Sequence, residues 1–294
     1  MLNTTAALAT AYGCNSPVLA LTGQIPAAAI EQGYGYLHEI PNQLGLISNL
    51  TKSAARIEHV SDAPRQVGEA FTALRSGVPG PVELEMAMDL LGVAGEVTLL
   101  DPNDPIPHPE PDLERVKEAA QLLGGAKKPL IVVGGGAVHA SEEVLRLAEM
   151  LQAPVVSGRL GRGIVSDRHY LSQTQPAGHR LWRDADVVLA VGTRLQQHRM
   201  VWGTDAQLKV VRIDLDPTQM YRYDVPAVGL VTDSALGLSA LADELERTNV
   251  KRDSREDELT ALKAEVRADI EAKLAPQCAF ISAMREALPE DGIL

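Results

Sequence analysis

Short apolar runs alternate with amphipathic stretches over most of the chain. The runs fall at residues 129–133, 154–156, 186–191 and 210–215, and a small or polar residue follows each one. Stretches with an apolar stripe at helical spacing separate them, at residues 112–123, 142–151 and 233–245. This alternation is typical of parallel strands joined by helical crossovers. It predicts an α/β fold, with a doubly wound parallel sheet of the nucleotide-binding kind over residues 112–250.

The first 92 residues also alternate helical and strand patterns. An Ala-rich helix is predicted from Asn3 to Tyr12, followed by an apolar run at residues 17–23 that reads as a strand buried on both faces. An amphipathic helix over 63–76 and a strand over 80–86 come next. A helix is an unusual start for a parallel α/β domain, because it should cross over from an earlier strand. We therefore expect part of this domain to lie upstream.

A proline-rich stretch separates the two patterned regions. Residues 99–111 hold five prolines, and each removes a backbone donor and restricts the residue before it. This stretch predicts an irregular linker, which we place at residues 93–111. Beyond the second region, residues 251–275 are rich in interleaved Glu and Lys, which indicates a solvated connecting helix.

Composition and charge narrow the classes of function. The chain has 294 residues, which is enough for two domains, and a formal net charge of −12 with no cluster of Lys and Arg. Nucleic-acid binding is therefore excluded, since it needs a concentrated positive face. Cys14 and Cys278 suggest neither a disulfide framework nor a zinc site, and no apolar run is long enough to span a membrane. We expect a cytoplasmic protein without a metal site of its own.

The ends of three predicted strands carry the candidate binding residues. Gly134, Gly135 and Gly136 follow one strand and precede a helix, where backbone N–H groups approach a phosphate or where a tight turn simply needs glycine. Arg194 ends a second strand and is a candidate diphosphate ligand or an ordinary surface arginine. Asp214 and Asp216 end a third, as ribose ligands or, for Asp216, as a helix cap. Together these ends predict a crevice at one edge of the sheet.

The histidines do not point to hydrolytic chemistry. No Ser/His/Asp or H-E-x-x-H arrangement is present among the seven histidines, so neither a catalytic triad nor a zinc protease is supported. His38 and Glu39 stand as a lone pair that, without further context, reads as part of a polar loop.

The order of short motifs resembles that of thiamine-diphosphate enzymes of the acetolactate synthase type. The first region resembles the second half of their pyrimidine-binding domain, and the second region resembles their central domain. The motifs that carry the first resemblance are residues 21–26 (LTGQIP), 36–39 (YLHE), 51–52 (TK) and 79–84 (PGPVEL). Those that carry the second are residues 128–136 (KPLIVVGGG), 161–163 (GRG), 184–194 (DADVVLAVGTR) and 213–217 (IDLDP).

The resemblance implies a chemistry and a set of site residues. Such enzymes join a 2-oxo acid to thiamine diphosphate, release carbon dioxide and pass the resulting carbanion to an acceptor, with the cofactor as electron sink. By the matching motifs, Gln24, His38, Glu39 and Lys52 are expected near the substrate or cofactor. The central domain of relatives takes FAD or ADP in some members. A homo-oligomer, or a complementary chain, is implied because the family's active site lies between subunits.

Two expected elements have no match in this sequence. The family's activating glutamate would lie upstream of Met1, and its Gly-Asp-Gly motif for magnesium and the diphosphate is missing, since Asp291-Gly292 does not replace it. We therefore expect part of an enzyme that is inactive alone. The expected boundaries are the following: the C-terminal part of the pyrimidine-binding domain at 1–92, the linker at 93–111, the central domain at 112–250, and a connecting helix with the start of the diphosphate domain at 251–294.

Other classes of function stay open at this stage. A non-catalytic nucleotide-binding or regulatory module would need only the crevice, and one half of a split enzyme would need a second chain with the missing motif. A sirtuin-like deacylase shares this kind of nucleotide fold but usually carries a four-cysteine zinc site. Two cysteines make that class a poor fit.

Overall fold

Both regions of the chain are built from parallel strands and helices. The computed structural model describes residues 1–101, 104–203, 207–249 and 251–292. The chain divides into a first unit, Met1–Pro109, and a second unit from Glu110 onward. Across the described residues, every helix is too short or too polar to cross a membrane.

The first unit contains a small parallel sheet. Its strands are β1 (Leu19–Gln24), β2 (Ser53–Ile57) and β3 (Val82–Ala87), in the order β1-β3-β2, so β3 lies in the centre. Leu84 of β3 is level with Leu21 of β1 and with Ala55 of β2. The helices are α1 (Thr5–Cys14), α2 (Gln43–Ser48) and α3 (Ala63–Arg75).

Helix α3 covers one face of this sheet. A proline in its first turn loses no hydrogen bond, because the first N–H groups of a helix have no partner within it. Its apolar stripe, with Ala70 buried, packs against Ile57, Val82 and Leu84. Those residues alternate along their strands, so the side chains between them, among them Glu83 and Glu85, point to the opposite face.

Strand β1 corrects one expectation. The apolar run at 17–23 predicts a strand buried on both faces, but Leu21 is 71% exposed. Among the described residues β1 pairs with β3 alone, so it forms an edge of the sheet. The strand buried on both faces is β3, whose residues are fully or largely buried although two of them are glutamates. Position within the sheet, more than apolar content, decides burial here.

The second unit holds the larger sheet. Its strands are β4 (Pro129–Val133), β5 (Val155–Ser157), β6 (Ser172–Gln173), β7 (Val187–Val191), β8 (Lys209–Asp214) and β9 (Val228–Val231). Its helices are α4 (Leu113–Gly125), α5 (Ser141–Leu151), α6 (Gln175–Asp184), α7 (Pro217–Met220), α8 (Ser234–Thr248), α9 (Glu256–Lys273) and α10 (Ala275–Ala287).

The strand order confirms the predicted doubly wound α/β fold. All described pairings are parallel, and the order is β6-β5-β4-β7-β8-β9. The main core lies between one face and helices α4, α5 and α8, with Ile131, Leu189 and Ile213 at its centre. Trp182 of α6 packs with Leu130 and other residues on the opposite face. The chain therefore winds outward from β4 in one direction and from β7 in the other.

Side-chain caps fix where two of the predicted helices begin. Asp112 accepts hydrogen bonds from the backbone N–H groups of Glu114 and Arg115, and Asp233 accepts from Ala235 and Leu236. These bonds satisfy N–H groups that have no partner within a helix. The described part of residues 93–111 contains neither helix nor strand, as its prolines predict. The domain boundaries given above stay predictions.

The charged tract after residue 250 differs from the expected solvated helix. It forms α9, which buries Leu259 in the main core and also buries Val266. Arg180 of α6 bridges to Glu265 and Asp269 on α9. A second helix, α10, then begins at Ala275. Two apolar residues seven positions apart are enough to dock two turns of an otherwise charged helix.

Candidate functional site

The candidate binding residues of the second unit gather at one edge of its sheet. Because β4 and β7 are neighbours and the chain moves away from them in opposite directions, their carboxyl ends flank the crevice where doubly wound sheets bind ligands. The end of β8 lies beside that of β7. The structure thus brings together six residues singled out in the sequence, Gly134, Gly135, Gly136, Arg194, Asp214 and Asp216.

The glycine triplet joins the ends of β4 and β7. The N–H of Gly134 donates to the carbonyl of Val191 at 3.0 Å, and that of Gly136 donates to the carbonyl of Gly192 at 3.1 Å. A Cβ atom on Gly134 would lie 2.4 Å from the Gly192 oxygen, and one on Gly136 would lie 2.8 Å from Gly192 Cα. The tight-turn interpretation accounts for both glycines, because only glycine permits so close an approach.

The helix after the triplet begins within one residue of its predicted start at residue 142. A short 3-10 turn, Gly135–Ala137, follows β4, and α5 begins at Ser141. The N–H groups of Gly134 and Gly136 bond to the end of β7, which holds the chain across the sheet edge before it turns into α5.

Asp216 caps the short helix α7. One of its carboxylate oxygens accepts from the Thr218 N–H at 2.8 Å, and the other accepts from Gln219 Nε2 at 3.1 Å. Burial opposes ionisation, but these hydrogen bonds outweigh it and lower the pKa of Asp216. Of the two interpretations of Asp216, capping is the one that the structure displays.

Asp214 has a different setting at the end of β8. Its carboxylate accepts from the Asp216 N–H at 3.0 Å, and its side chain is 13% exposed. Burial raises the pKa of Asp214, while that hydrogen bond and the charges of Arg212 and Arg194 act in the opposite direction. Asp214 and Arg194 therefore lie close enough to influence each other at the edge of the sheet.

Arg212 belongs to the same site and was missed by sequence reasoning. Its side chain is 2% exposed, its Nη2 donates to the Thr193 carbonyl at 2.8 Å, and it lies 3.6 Å from an oxygen of Asp214. Burial lowers the pKa of Arg212. An arginine inside the apolar run at 210–215 was the available signal, because buried strands seldom hold an unpaired cation.

The turn after β7 has an unusual backbone. Gly192 has φ +54°, and Leu195 has φ +53° although its side chain is buried. A leucine in the left-handed region is uncommon, because its Cβ crowds the backbone. The Leu195 N–H donates to the Thr193 hydroxyl, and the Leu195 side chain packs in the core beside Trp182. Core packing and the local bond hold this turn in shape.

The candidates of the first unit make local contacts. Gln24 is buried, and its side-chain oxygen accepts from the Ile25 N–H at 2.8 Å. Glu39 accepts from the Tyr36 N–H at 2.8 Å, and His38 is exposed with φ +71°. Lys52 Nζ donates to the carbonyl groups of Ala73, at 2.6 Å, and Ser76 at the end of α3. In the part of the unit that the structure describes, no hydrogen bond joins one of the four candidates to another.

No metal centre is formed by the described side chains. Within residues 1–101, 104–203, 207–249 and 251–292, no group of three or more His, Cys, Asp or Glu residues is arranged to hold a metal ion.

The second unit matches a known domain family. Residues 116–241 match the thiamine pyrophosphate enzyme central domain. This range contains the six-stranded sheet and all six candidate residues at its edge. The segment therefore belongs to the central-domain family of thiamine pyrophosphate enzymes.

Whole-chain comparisons point to enzymes of the acetolactate synthase type. The chain is 32% identical to a probable acetolactate synthase large subunit of Methanococcus aeolicus over 278 residues, 86% of this chain and 44% of the relative. It is 29% identical to a probable 2-ketoarginine decarboxylase of Pseudomonas aeruginosa, over 99% of this chain and 53% of the relative. A glyoxylate carboligase of Escherichia coli O157:H7 is 29% identical over 81% of this chain and 42% of that protein. The chain thus spans about half the length of the curated relatives it matches.

Proposed function

We propose that this chain contributes a pyrimidine-domain segment and the central domain to a thiamine-diphosphate-dependent enzyme that decarboxylates and ligates 2-oxo acids. The proposal extends to a chain that is inactive by itself and works in a homo-oligomer or with a complementary chain. A cytoplasmic location is part of the same proposal, in keeping with two cysteines that are both free.

The agreement between the motif order and the comparisons carries this proposal. The similarity to the Methanococcus aeolicus protein covers 86% of the chain, so it extends well beyond the central domain. Two of the relatives are named for 2-oxo acids, 2-ketoarginine and glyoxylate, and the third for acetolactate. One name specifies a decarboxylation and another a carboligation, and thiamine diphosphate supplies the electron sink for both reactions.

The described side chains do not fit the magnesium and diphosphate part of the cofactor. A magnesium site usually contains one or two carboxylates together with phosphate oxygens. The Gly-Asp-Gly motif expected for this part of the cofactor does not occur in the sequence, since Asp291 is preceded by Glu290 and followed by a single glycine. We therefore assign thiamine diphosphate and magnesium to the complete enzyme and derive no chemical step from this chain.

The edge of the second sheet fits a nucleotide better. Arg194 would hold the diphosphate of FAD or ADP, and Asp214 would accept hydrogen bonds from a ribose. Asp214 accepts a hydrogen bond at one oxygen, and its other oxygen lies 3.6 Å from Arg212, whereas both oxygens of Asp216 accept hydrogen bonds. Gly134, Gly135 and Gly136 would let the ligand approach the backbone. Asp214 is the stronger of the two acidic candidates.

Isothermal titration of the purified chain with FAD, ADP and thiamine diphosphate plus magnesium tests these assignments. We expect FAD or ADP to bind, and Arg194→Gln and Asp214→Asn to weaken binding by roughly tenfold to a hundredfold, the usual effect of a lost charged hydrogen bond. Matched controls are Arg183→Gln and Asp243→Asn, whose side chains are 80% and 68% exposed. Equal losses in a candidate and its control would remove the assignment.

Activity and mass in solution test the rest of the proposal. With a 2-oxo acid, thiamine diphosphate and magnesium, the chain alone should release no carbon dioxide above a blank. Tight thiamine diphosphate binding or turnover would contradict the proposal that this chain is inactive alone and that the cofactor is bound by the complete enzyme. Binding of ADP or FAD to a stable monomer that no second chain activates would favour the alternative, a non-catalytic nucleotide-binding or regulatory module.

A further inference from the structure

A pair of buried carboxyl groups occupies one face of the first sheet. Glu83 and Glu85 both lie on the central strand β3, and alternation along the strand places them on the face away from α3. Their exposed fractions are 1% and 0%. Two carboxylates this close and this buried are costly unless each has a partner of its own.

The neighbouring strands provide partners for Glu85. Thr22 and Arg56 are level with Glu85 on the two adjacent strands. Arg56 Nε lies 2.5 Å from one oxygen of Glu85, and Gln43 Nε2 donates to the other at 2.8 Å. Both oxygens of this carboxylate are therefore bonded, one of them to a cation.

Glu83 lacks such partners. The residues level with it are Ala20 and Ala54, which offer no side-chain donor. Its Oε1 reaches Thr22 Oγ1 at 2.5 Å, and its Oε2 is buried with no hydrogen-bond partner in the structure. An ionised Glu83 would therefore bury a charge that has one neutral donor and no cation of its own.

We propose that Glu83 is held as a neutral carboxylic acid in the folded first unit and acts as a pH-sensitive element that loosens this unit as it ionises. The proposal rests on the shared face, the single arginine taken by Glu85 and the unpaired oxygen of Glu83. Burial, with a smaller contribution from Glu85, raises the pKa of Glu83 to about 7, although Thr22, Arg56 and the amino terminus act against this rise.

The direction of the pH effect follows from proton binding. Between the ordinary pKa of 4.5 and about 7, the folded protein keeps the Glu83 proton and the unfolded chain has lost it. The stability due to this proton is therefore complete at acid pH and is lost as the pH rises through about 7. Each pH unit inside this window multiplies the unfolding equilibrium constant by about ten.

Denaturation of the full chain at two pH values tests the proposal. Trp182 and Trp202, the two tryptophans of the chain, lie in the second unit, so fluorescence follows that unit and circular dichroism follows both. We expect the unfolding constant of the first unit to rise roughly 30-fold from about pH 5.5 to about pH 8.5 in the wild type. In Glu83→Gln this dependence should be lost.

A matched variant controls for general effects of charge. Glu69→Gln makes the same substitution at a side chain that is 59% exposed and should keep the wild-type pH dependence. Burial lowers the pKa of His198, in the second unit, to about 4, and this histidine gives the opposite slope. The contribution of Glu83 is therefore the difference in unfolding free energy between Glu83→Gln and the wild type at each pH. An equal dependence of the unfolding free energy on pH in these two proteins would overturn the proposal.

An infrared measurement on the folded wild-type protein avoids dependence on unfolding. The carbonyl band of a protonated carboxylic acid should be present at about pH 6, where ordinary glutamates are ionised, and vanish by about pH 9. It should be absent in Glu83→Gln and should titrate at higher pH in Thr22→Val, because the Thr22 hydrogen bond lowers the pKa of Glu83. A wild-type spectrum without this band would refute the neutral acid directly.

Discussion

The larger sheet packs mainly apolar side chains on both faces, whereas the smaller sheet buries two glutamates beside a half-buried arginine on one of its faces. In β4 and β7, alternate residues belong to two apolar clusters on opposite faces. Ile131 and Leu189 pack on one face, and Leu130 and Val188 pack on the other. In β3, Val82 and Leu84 face an apolar cluster, whereas on the opposite face Glu85 bonds to Arg56 and Gln43, and Glu83 bonds to Thr22. Burial of an ionised side chain in the smaller sheet thus depends on a partner such as the one that Arg56 provides for Glu85.

The two sheets also differ in how the ends of their strands are held. In the second unit, backbone bonds among glycine turns connect the ends of β4 and β7. In the first unit, side chains connect the elements. Lys52 bonds to the end of α3, and Arg56 of β2 bonds to Glu85 of β3. We therefore expect steric substitutions to damage the second unit most, and substitutions of charge to damage the first.

Removing the arginine of the first sheet should have the largest effect. Arg56→Met leaves Glu85, which is 0% exposed, without its cation, and we expect a loss of about 3 kcal/mol or more in the free energy of unfolding of this unit. Urea denaturation followed by circular dichroism measures it. Adding Glu85→Gln to Arg56→Met should recover much of the loss. If Arg56→Met costs no more than the exposed Arg65→Met, the ionic face is not important for stability.

A methyl group at the turn after β7 should have the next largest effect. Gly192→Ala places a Cβ 2.5 Å from the carbonyl carbon of Gly136 and gives an alanine φ +54°. We expect a loss of about 2 to 3 kcal/mol in the second unit, from overpacking and backbone strain together. Tryptophan fluorescence during urea denaturation reports on this unit. Gly125→Ala, where a Cβ would have open space, is the control and should be close to neutral.

Loss of a helix cap should have a moderate effect in the second unit. Asp233 accepts from the N–H groups of Ala235 and Leu236 at 2.9 and 3.4 Å, so Asp233→Ala should reduce stability by about 1 kcal/mol. Denaturation by urea at neutral pH measures the change, and Asp243→Ala on the exposed surface of the same helix serves for comparison. A larger loss from Asp243→Ala would show that net charge, not capping, is responsible.

Substitution of Lys52 should have the smallest effect on stability. It distinguishes a structural role of this residue from a role near a substrate. As a bridge to the carbonyl groups at the end of α3, Lys52→Met should lower stability by about 0.5 kcal/mol. As a residue near a substrate, the same change would alter only the activity of the complete enzyme. Denaturation of Lys52→Met beside Lys127→Met, on the second unit, distinguishes a local structural role from a general effect of lost charge.

The sequence supports prediction of the larger sheet better than that of the smaller one. The run at residues 129–133 corresponds to β4 residue for residue, and Asp233 caps the predicted helix. These signals are local, since burial on both faces leaves a continuous apolar run and a cap needs one side chain. In the first unit, β2 has the sequence SAARI, which lacks strong strand signals, and β3 contains two glutamates. Pairing partners far along the chain decide their burial.

The candidate site shows the same limit. The convergence of Gly134, Arg194 and Asp214 follows from parallel topology and could be predicted. The role of Asp216 as a cap and the position of Arg212 under the turn after β7 depend on distances between neighbouring strands. Helix α6 was missed although Thr174 caps it and a proline lies in its first turn, a signal that the sequence did contain.

The outward winding of the larger sheet also has a consequence for the order in which it can form. Strand β4 pairs with β7, and Pro129 is level with Val187, 58 positions later (187 − 129). During synthesis, β4, β5 and β6 emerge first, and one side of β4 then has no strand to pair with until β7 follows. We expect nascent chains that stop before Val187 to aggregate more readily than chains that include β7 and β8, because an apolar strand edge stays open. Light scattering of such length variants during cell-free synthesis would measure this difference in aggregation.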